Sequence, residues 1–384
     1  MRSLLAGVLL LASAHAGAAQ NIRLGNIQIN PLVSVQQKYD TNIYLSKVEK
    51  SAWVNRTGLG LNLVSRAGSR LDLTGGYTLE FLSYSRAPAN NNATHHLANI
   101  AVKARMFRDV VAILNDSYML NTDQATSELV ERAQRVQNIV SFNLAAPIRG
   151  NFGFKLAAQH TYYNYLSSRY NLLDRNEILM GGDLTYKLQP KTQLVLGYRH
   201  GTLNYRLASA GKGDSVYDNL DLGLAGNIAP KLMGTVKAGV QFRNYNKNLT
   251  LPKSNTTTAG YSVQVLWKPV SKTEVIIYGR RGNIETSYLN TRFYTSTLSD
   301  ITFSRQVHKI KAGLGLSYET MKYPGTATAS GRTDTLTNMR LTGEYNIQKW
   351  LKAGLDYTRK QRKSILTYYN YSDNLFGFTL TGMF

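Results

Sequence analysis

Long two-residue alternation constrains this chain more than any other feature. In the run 70 to 81, Leu71, Leu73, Tyr77, Leu79 and Phe81 share one parity, while Arg70, Asp72, Thr74, Thr78 and Glu80 share the other. The same split sets Met339, Leu341, Tyr345 and Ile347 against Arg340, Thr342, Glu344 and Asn346, and Val236, Ala238, Val240 and Phe242 against Lys237, Gln241 and Arg243. It recurs for Tyr261, Val263, Val265 and Trp267 against Ser262, Gln264 and Lys268. A period of two marks a β-strand with one apolar and one polar face. The alternating runs to which these residues belong are about 12 to 15 residues long, too long for propeller blades, which turn about every 8 to 12 residues. They suit a tilted strand that crosses a bilayer in about 9 to 11 residues with its ends projecting. The apolar set is expected to face lipid and the polar set a lumen. A charge at the lipid midplane costs about 2 to 4 kcal/mol, which enforces the register.

Prolines and tyrosines space the runs. Proline cannot donate to a ladder, so it belongs at turns, loops and strand starts. Pro147, Pro190, Pro230 and Pro269 sit in short motifs, Ala-Pro-Ile-Arg-Gly, Gln-Pro-Lys, Ala-Pro-Lys and Lys-Pro-Val-Ser-Lys, at spacings of 43, 40 and 39. Pro88, Pro252 and Pro324 fall in polar stretches between runs, and Pro31 is placed at the start of the first strand. Tyr165, Tyr205, Tyr245, Tyr288 and Tyr323 close runs at intervals of 40, 40, 43 and 35. Such a period holds an up strand, a loop, a down strand and a tight turn, so about 365 residues give roughly nine hairpins. The fold class expected is all-β: one transmembrane antiparallel up-and-down β-barrel of about 18 strands, within a range of about 16 to 20. Its runs include 28 to 39, 132 to 146, 215 to 229 and 370 to 384. Phe107-Arg108-Asp109 and Gln189-Pro190-Lys191 are tight connections, whereas Asn121 to Glu131 is longer and polar. An even strand count puts both termini and the tight turns on the periplasmic side. Tyrosines near strand ends are expected in interfacial girdles, where the ring stays apolar and the hydroxyl reaches water.

Both ends of the chain point to the same compartment. Met1-Arg2 precedes an apolar run from Leu4 to Ala12 and a small-residue stretch from Ser13 to Ala19 with Ala16-Gly17-Ala18. This reads as a secretory signal peptide, residues 1–19, leaving residues 20–384 as the barrel. No later segment approaches the 18 or so consecutive apolar residues of a membrane-spanning helix. The chain has no cysteine, hence neither a lipid-anchor site nor disulfides. At the other end Phe376, Phe378, Leu380 and Phe384 share one face with Gly382. An aromatic last residue on the apolar side resembles the signal read by the barrel-assembly machinery, which makes that machinery an expected partner. The location expected is the outer membrane of a Gram-negative bacterium, with outer-membrane lipid and lipopolysaccharide as surroundings.

Charge is the next constraint. The formal net charge is +22, and loss of the signal removes one positive charge, Arg2. Arg70, Lys103, Arg105, Lys155, Lys187, Arg199, Lys237, Arg243, Arg280, Lys311, Arg340 and Lys352 fall on the inferred lumen side, with fewer acids, chiefly Asp72, Glu80, Asp183, Glu274, Glu319, Glu344 and Asp356. Excess positive charge in an aqueous duct concentrates anions, so an anionic polysaccharide or small anions are candidate solutes. Pairing with lumen carboxylates or lipid phosphates is the alternative use of the same residues. The basic residues are dispersed and the compartment is wrong for nucleic acid, which is excluded as a partner.

Chemistry-bearing motifs are scarce. There is no Gly-x-Ser-x-Gly, no phosphate loop and no His-Glu-x-x-His, so no catalytic, cofactor or metal residues are assigned and an enzyme is not expected. His95 and His96 are adjacent and would point to opposite faces of a strand. His160 and His200 end runs at equivalent positions, and a nucleophile site there would need Ser167 and Asp174 beside one of them. The first strand begins close to the signal, which leaves no room for a plug. Outer loops of about 6 to 12 residues are expected to be too short to fold inward, leaving lumen side chains to narrow any duct.

Tyr39-Asp40-Thr41-Asn42-Ile43-Tyr44, then Gly58-Leu59-Gly60-Leu61-Asn62-Leu63 and Leu71-Asp72-Leu73-Thr74-Gly75-Gly76-Tyr77, together resemble the start of the putative β-barrel porin-2 family. That family includes EpsL-like outer-membrane proteins found with exopolysaccharide biosynthesis and exosortase loci. The resemblance implies a pore or conduit serving exopolysaccharide export; the runner-up is a general or anion-preferring diffusion porin for small solutes. A lipid-modifying enzyme or a structural barrel is the remaining class. From the residues alone, Asp40 and Asn42 suit a tight bend whose side chains bond nearby backbone.

Overall fold

A computed structural model describes residues 22–68, 70–207, 212–247, 253–288, 291–325 and 331–384. The signal-peptide segment and Pro252 lie outside these. A short strand β1 (Ile22–Leu24) folds back on β2 (Ile27–Asp40) through a turn at Gly25, whose φ of 60° suits a residue without a side chain. Next come β3 (Ala52–Ala67), β4 (Leu71–Tyr84), β5 (Ala93–Arg105), β6 (Val111–Asn121), β7 (Arg135–Pro147), β8 (Phe152–Tyr165) and β9 (Arg175–Gln189). They are followed by β10 (Thr192–Tyr205), β11 (Ser215–Ala229), β12 (Leu232–Tyr245), β13 (Ser254–Trp267) and β14 (Thr273–Glu285). The remainder are β15 (Phe293–Val307), β16 (Ile310–Tyr323), β17 (Arg332–Asn346), β18 (Leu351–Ser364) and β19 (Tyr371–Met383). Each pairs antiparallel with its sequence neighbour, and β19 pairs with β2, which closes an 18-stranded ring, β2 to β19. No described helix is long and apolar enough to cross a membrane; the crossing elements are strands.

Register explains the alternation. Leu73, Tyr77 and Phe81 lie opposite Ser65, Leu61 and Thr57 of β3 and Val102, Ala98 and Thr94 of β5, all on one side of the sheet. Large apolar residues on this side, such as Leu61, Leu114, Leu196, Leu222, Leu316 and Leu355, are exposed. They form the lipid-facing band, since an exposed apolar belt of this extent is stable only against hydrocarbon. Phe376 and Phe378 join it, and Phe384 stacks on Trp350 with ring centroids 5.4 Å apart.

Two expectations need correction, and the ring departs from regularity at one place. Pro31 is not the first residue of its strand but lies within β2, and its carbonyl accepts the Phe384 amide at 2.9 Å. Its missing donor therefore faces the last residue of the ladder, where little pairing is lost. The tyrosines that close the runs are not in a lipid girdle: Tyr165, Tyr205, Tyr245 and Tyr323 have the inward parity and pack inside the outer mouth, with Tyr245 fully buried. Outward rings such as Tyr39 and Trp53, 5.0 Å apart, form the belt instead. Finally, β13 and β14 pair only between Tyr261–Trp267 and Val275–Arg281. Beyond Arg281 they part, and the ends of β14 and β15 turn inside the ring. Glu285, of outward parity, thus reaches the inward Arg243 at 2.6 Å, and Phe293 stacks on Tyr245 at 5.7 Å.

Candidate functional site

The candidate site is the lumen. Lys103, Arg105, Lys155, Lys187, Arg199, Lys237, Arg243, Arg280, Lys311, Arg340 and Lys352 all occupy inward positions of their strands, and Arg70 stands at the turn into β4. They do not form one cluster. Some are neutralised: Arg105 by Asp72 at 2.6 Å, Arg199 and Lys237 by Asp183 at 2.9 and 3.2 Å, and Arg243 by Glu285. Lys352 meets Glu344 at 3.5 Å and Arg340 meets Asp300 at 3.8 Å. Arg70, Lys103, Lys155, Lys187, Arg280 and Lys311 have no acidic partner among the described residues.

The periplasmic half of the lumen is open. A cavity of about 710 Å³ lies there, lined by Lys311, Thr342, Glu344, Lys352, Asp356 and Thr379 among others. The outer half is filled, chiefly by a segment for which the sequence reading had no role. Residues 122–134, between β6 and β7, fold inward across the barrel, contrary to the expectation that no outer loop would do so. Thr126 Oγ1 accepts the Leu129 amide at 3.0 Å, a local bond that turns the loop tip. Leu129 and Ala133 pack against Tyr165 and Leu173. At its base Arg56 holds Asp123 at 2.8 Å, and Arg132 donates to Thr122 Oγ1 at 2.9 Å while lying over the Tyr84 ring. Burial among these groups and the nearby Arg56 charge lower the Arg132 pKa to about 10.

The far end of the loop latches to the opposite wall. Glu128 is 3% exposed. Its carboxylate accepts from the Thr286 hydroxyl and from the Ser287 amide and hydroxyl, the last at 2.9 Å, and its carbonyl accepts from Arg362 at 3.4 Å. Ser127 donates to Glu319, which also takes the Ser296 hydroxyl. Charge-assisted bonds of this kind are about twice as strong as neutral ones. Beside them Lys212 donates to the carbonyls of Thr286 and Tyr288, and burial depresses its pKa to about 8 despite the nearby Glu285 and Glu128. The remaining mouth is packed by Tyr294, Met321 and Tyr323, and Arg332 lies 4.0, 4.4 and 4.8 Å from the Tyr323, Tyr369 and Tyr288 rings. Leu129-Val130 is an apolar step in an otherwise polar loop, but nothing local in the chain marks Glu128 or its distant partners.

The residues imagined as an enzymatic site are not brought together. His160 and His200 face outward, bonding Asn176 at 3.2 Å and Asp218 at 2.9 Å. Asp174 instead accepts the Tyr165 amide, and the Ser167 carbonyl takes the Tyr170 amide at 3.0 Å. No described group of acids and histidines is arranged to hold a metal. Asp40 and Asn42 build a bend: Asp40 accepts the Asn42 amide at 2.8 Å, and the Asn42 amide group donates to the carbonyls of Ser46 and Ser372 at 2.8 and 2.9 Å.

Comparison with known proteins fits this geometry. The sequence matches the model of a family described as putative beta-barrel porin 2 over residues 15–384. No curated protein matches it. Among solved structures, OpdQ of Pseudomonas aeruginosa is similar with a TM-score of 0.50 at 9% identity, over 94% of this chain and 99% of that one. OpdK of the same organism, in a structure with vanillate, gives 0.49 at 9% identity over 93% and 99%. The FrpB iron transporter of Neisseria meningitidis gives 0.45 at 11% identity over 87% of this chain and 62% of its own, so this chain spans less than two thirds of that protein. At such identities the likeness is one of fold.

Proposed function

The chain belongs to the putative beta-barrel porin 2 family and is a porin-like outer-membrane β-barrel of a Gram-negative bacterium, and on that premise we propose that it is an anion-preferring diffusion channel for small solutes. The observation that supports this reading is the unbalanced lumen charge: Lys103, Lys155, Lys187, Arg280 and Lys311 point inward with no acidic partner among the described residues. In a duct walled by low-dielectric protein, such fixed charge raises the local anion concentration. The loop across the outer half favours small solutes over a polymer. Reversal potentials in a potassium chloride gradient across a planar bilayer test the proposal. Chloride preference is expected, shifting toward zero in a Lys155→Gln, Lys187→Gln, Lys311→Gln variant. Cation preference in the native protein would sink it.

Exopolysaccharide export, the reading implied by the resemblance, is supported by the stretches 39–44, 58–63 and 71–77 alone, and in the first of these Asp40 and Asn42 are engaged in a turn. Loss of matrix polysaccharide on gene deletion, with small-anion uptake unchanged, would favour export over diffusion.

A further inference from the structure

Several polar residues on the lipid-facing surface come in satisfied pairs. The Tyr77 hydroxyl meets His96 at 2.8 Å, Asn138 donates to Asp116 at 2.6 Å, and Asp218 accepts from Tyr198 at 2.7 Å. The outer ends of β16, β17 and β18 differ. Register aligns Arg359 with Met339 and Leu316, Gln361 with Thr337 and Tyr318, Lys363 with Thr335 and Thr320, and Lys322 with Thr333. All share the outward parity of Leu314, Leu341 and Leu355. Lys322, Arg359 and Lys363 are exposed, and none has an ion-pair partner among the described residues. They stand two to six residues beyond the belt tyrosines Tyr318 and Tyr357, at headgroup level.

Directly below them a groove of about 390 Å³ runs along the outer face. Ile301, Leu316, Tyr318 and Met339 line it, and Arg359 and Gln361 stand at its upper end. An apolar trough under a cationic, hydroxyl-rich rim has the polarity of an acyl chain ending in a phosphorylated headgroup. We propose that this face binds lipid A of the outer leaflet, with an acyl chain in the groove and the phosphates on Lys322, Arg359 and Lys363. Three arguments select that occupant. The face lies outside the ring, where a lumen solute does not pass. It lies at the end opposite the chain termini, in the leaflet whose lipid carries sugar phosphates. Its unneutralised cations are complementary to an anion, and phosphate pairs strongly with Arg and Lys.

The experiment uses the purified, folded full-length barrel. Its unfolding midpoint, read as the heat-modifiable gel band, is followed on adding bisphosphorylated lipid A, the same lipid with its phosphates removed, or phosphatidylglycerol. Only bisphosphorylated lipid A should raise the midpoint strongly. In a Lys322→Gln, Arg359→Gln, Lys363→Gln variant the shift should need roughly a hundredfold more lipid or disappear, as loss of three surface cations requires. Arg305→Gln, outward but at the periplasmic end, should retain the native shift. Equal stabilisation by dephosphorylated lipid A or by phosphatidylglycerol would overturn the proposal, as would a native shift in the triple variant or its loss in Arg305→Gln. Should the triple variant not fold, the three-lipid comparison on the native protein decides alone.

Discussion

Glu128 holds three donors from the far wall in a position almost closed to solvent. Truncation to Ala leaves those donors without their acceptor, at a cost of about 1 to 3 kcal/mol. Glu128→Ala is therefore expected to lower the unfolding temperature and raise single-channel conductance; an unchanged conductance would mean that this latch does not narrow the pore. Lys212, beside it, carries a pH dependence of known sign. Its folded pKa of about 8 lies below the free value of 10.5, so the fold favours the neutral amine. The cost of burying the charge is fully present below about pH 8 and is relieved as pH rises toward 10.5. Thermal stability of the native barrel should therefore gain over that of Lys212→Met between about pH 8 and 10. A difference that stays flat across this window would remove Lys212 from the latch. Neither residue was singled out in the sequence, because an isolated Glu and Lys in loops carry no periodicity.

Strands were the most legible elements. The run read as 215 to 229 is β11 without adjustment, and the run begun at 132 starts instead at Arg135, because Arg132 is bound into the inward loop through Thr122. Alternation works here because one face meets hydrocarbon and the other a polar lumen along most of each strand. A paired substitution checks it: Leu316→Arg, outward in mid-strand, should cost about 2 to 4 kcal/mol, and Ser317→Arg, inward next to it, close to nothing. Equal costs, measured by urea unfolding in lipid vesicles, would mean that the two faces of β16 are not different solvents. Loops were poorly legible for the complementary reason. Glu128 and Thr286 are 158 residues apart, and no local pattern encodes that meeting.

At the scale of the whole molecule, a closed ring needs its last strand. Phe384 stacks on Trp350 and bonds Pro31 across the closure, so Phe384→Ala is expected to reduce the fraction of chains that acquire the heat-modifiable band. Wild-type yield in that variant would separate the terminal ring from assembly. The parity of 18 strands and their two faces followed from the sequence alone, because a strand's side-chain period is fixed by its backbone and each face faces a uniform medium. Which of the lumen cations are neutralised, that residues 122–134 cross the outer half, and that β16 to β18 leave three cations facing the lipid headgroups were decided only by tertiary structure. Those outcomes depend on charges and hydroxyls brought together from distant strands by closure of the ring, and proximity of that kind has no local signature in the chain.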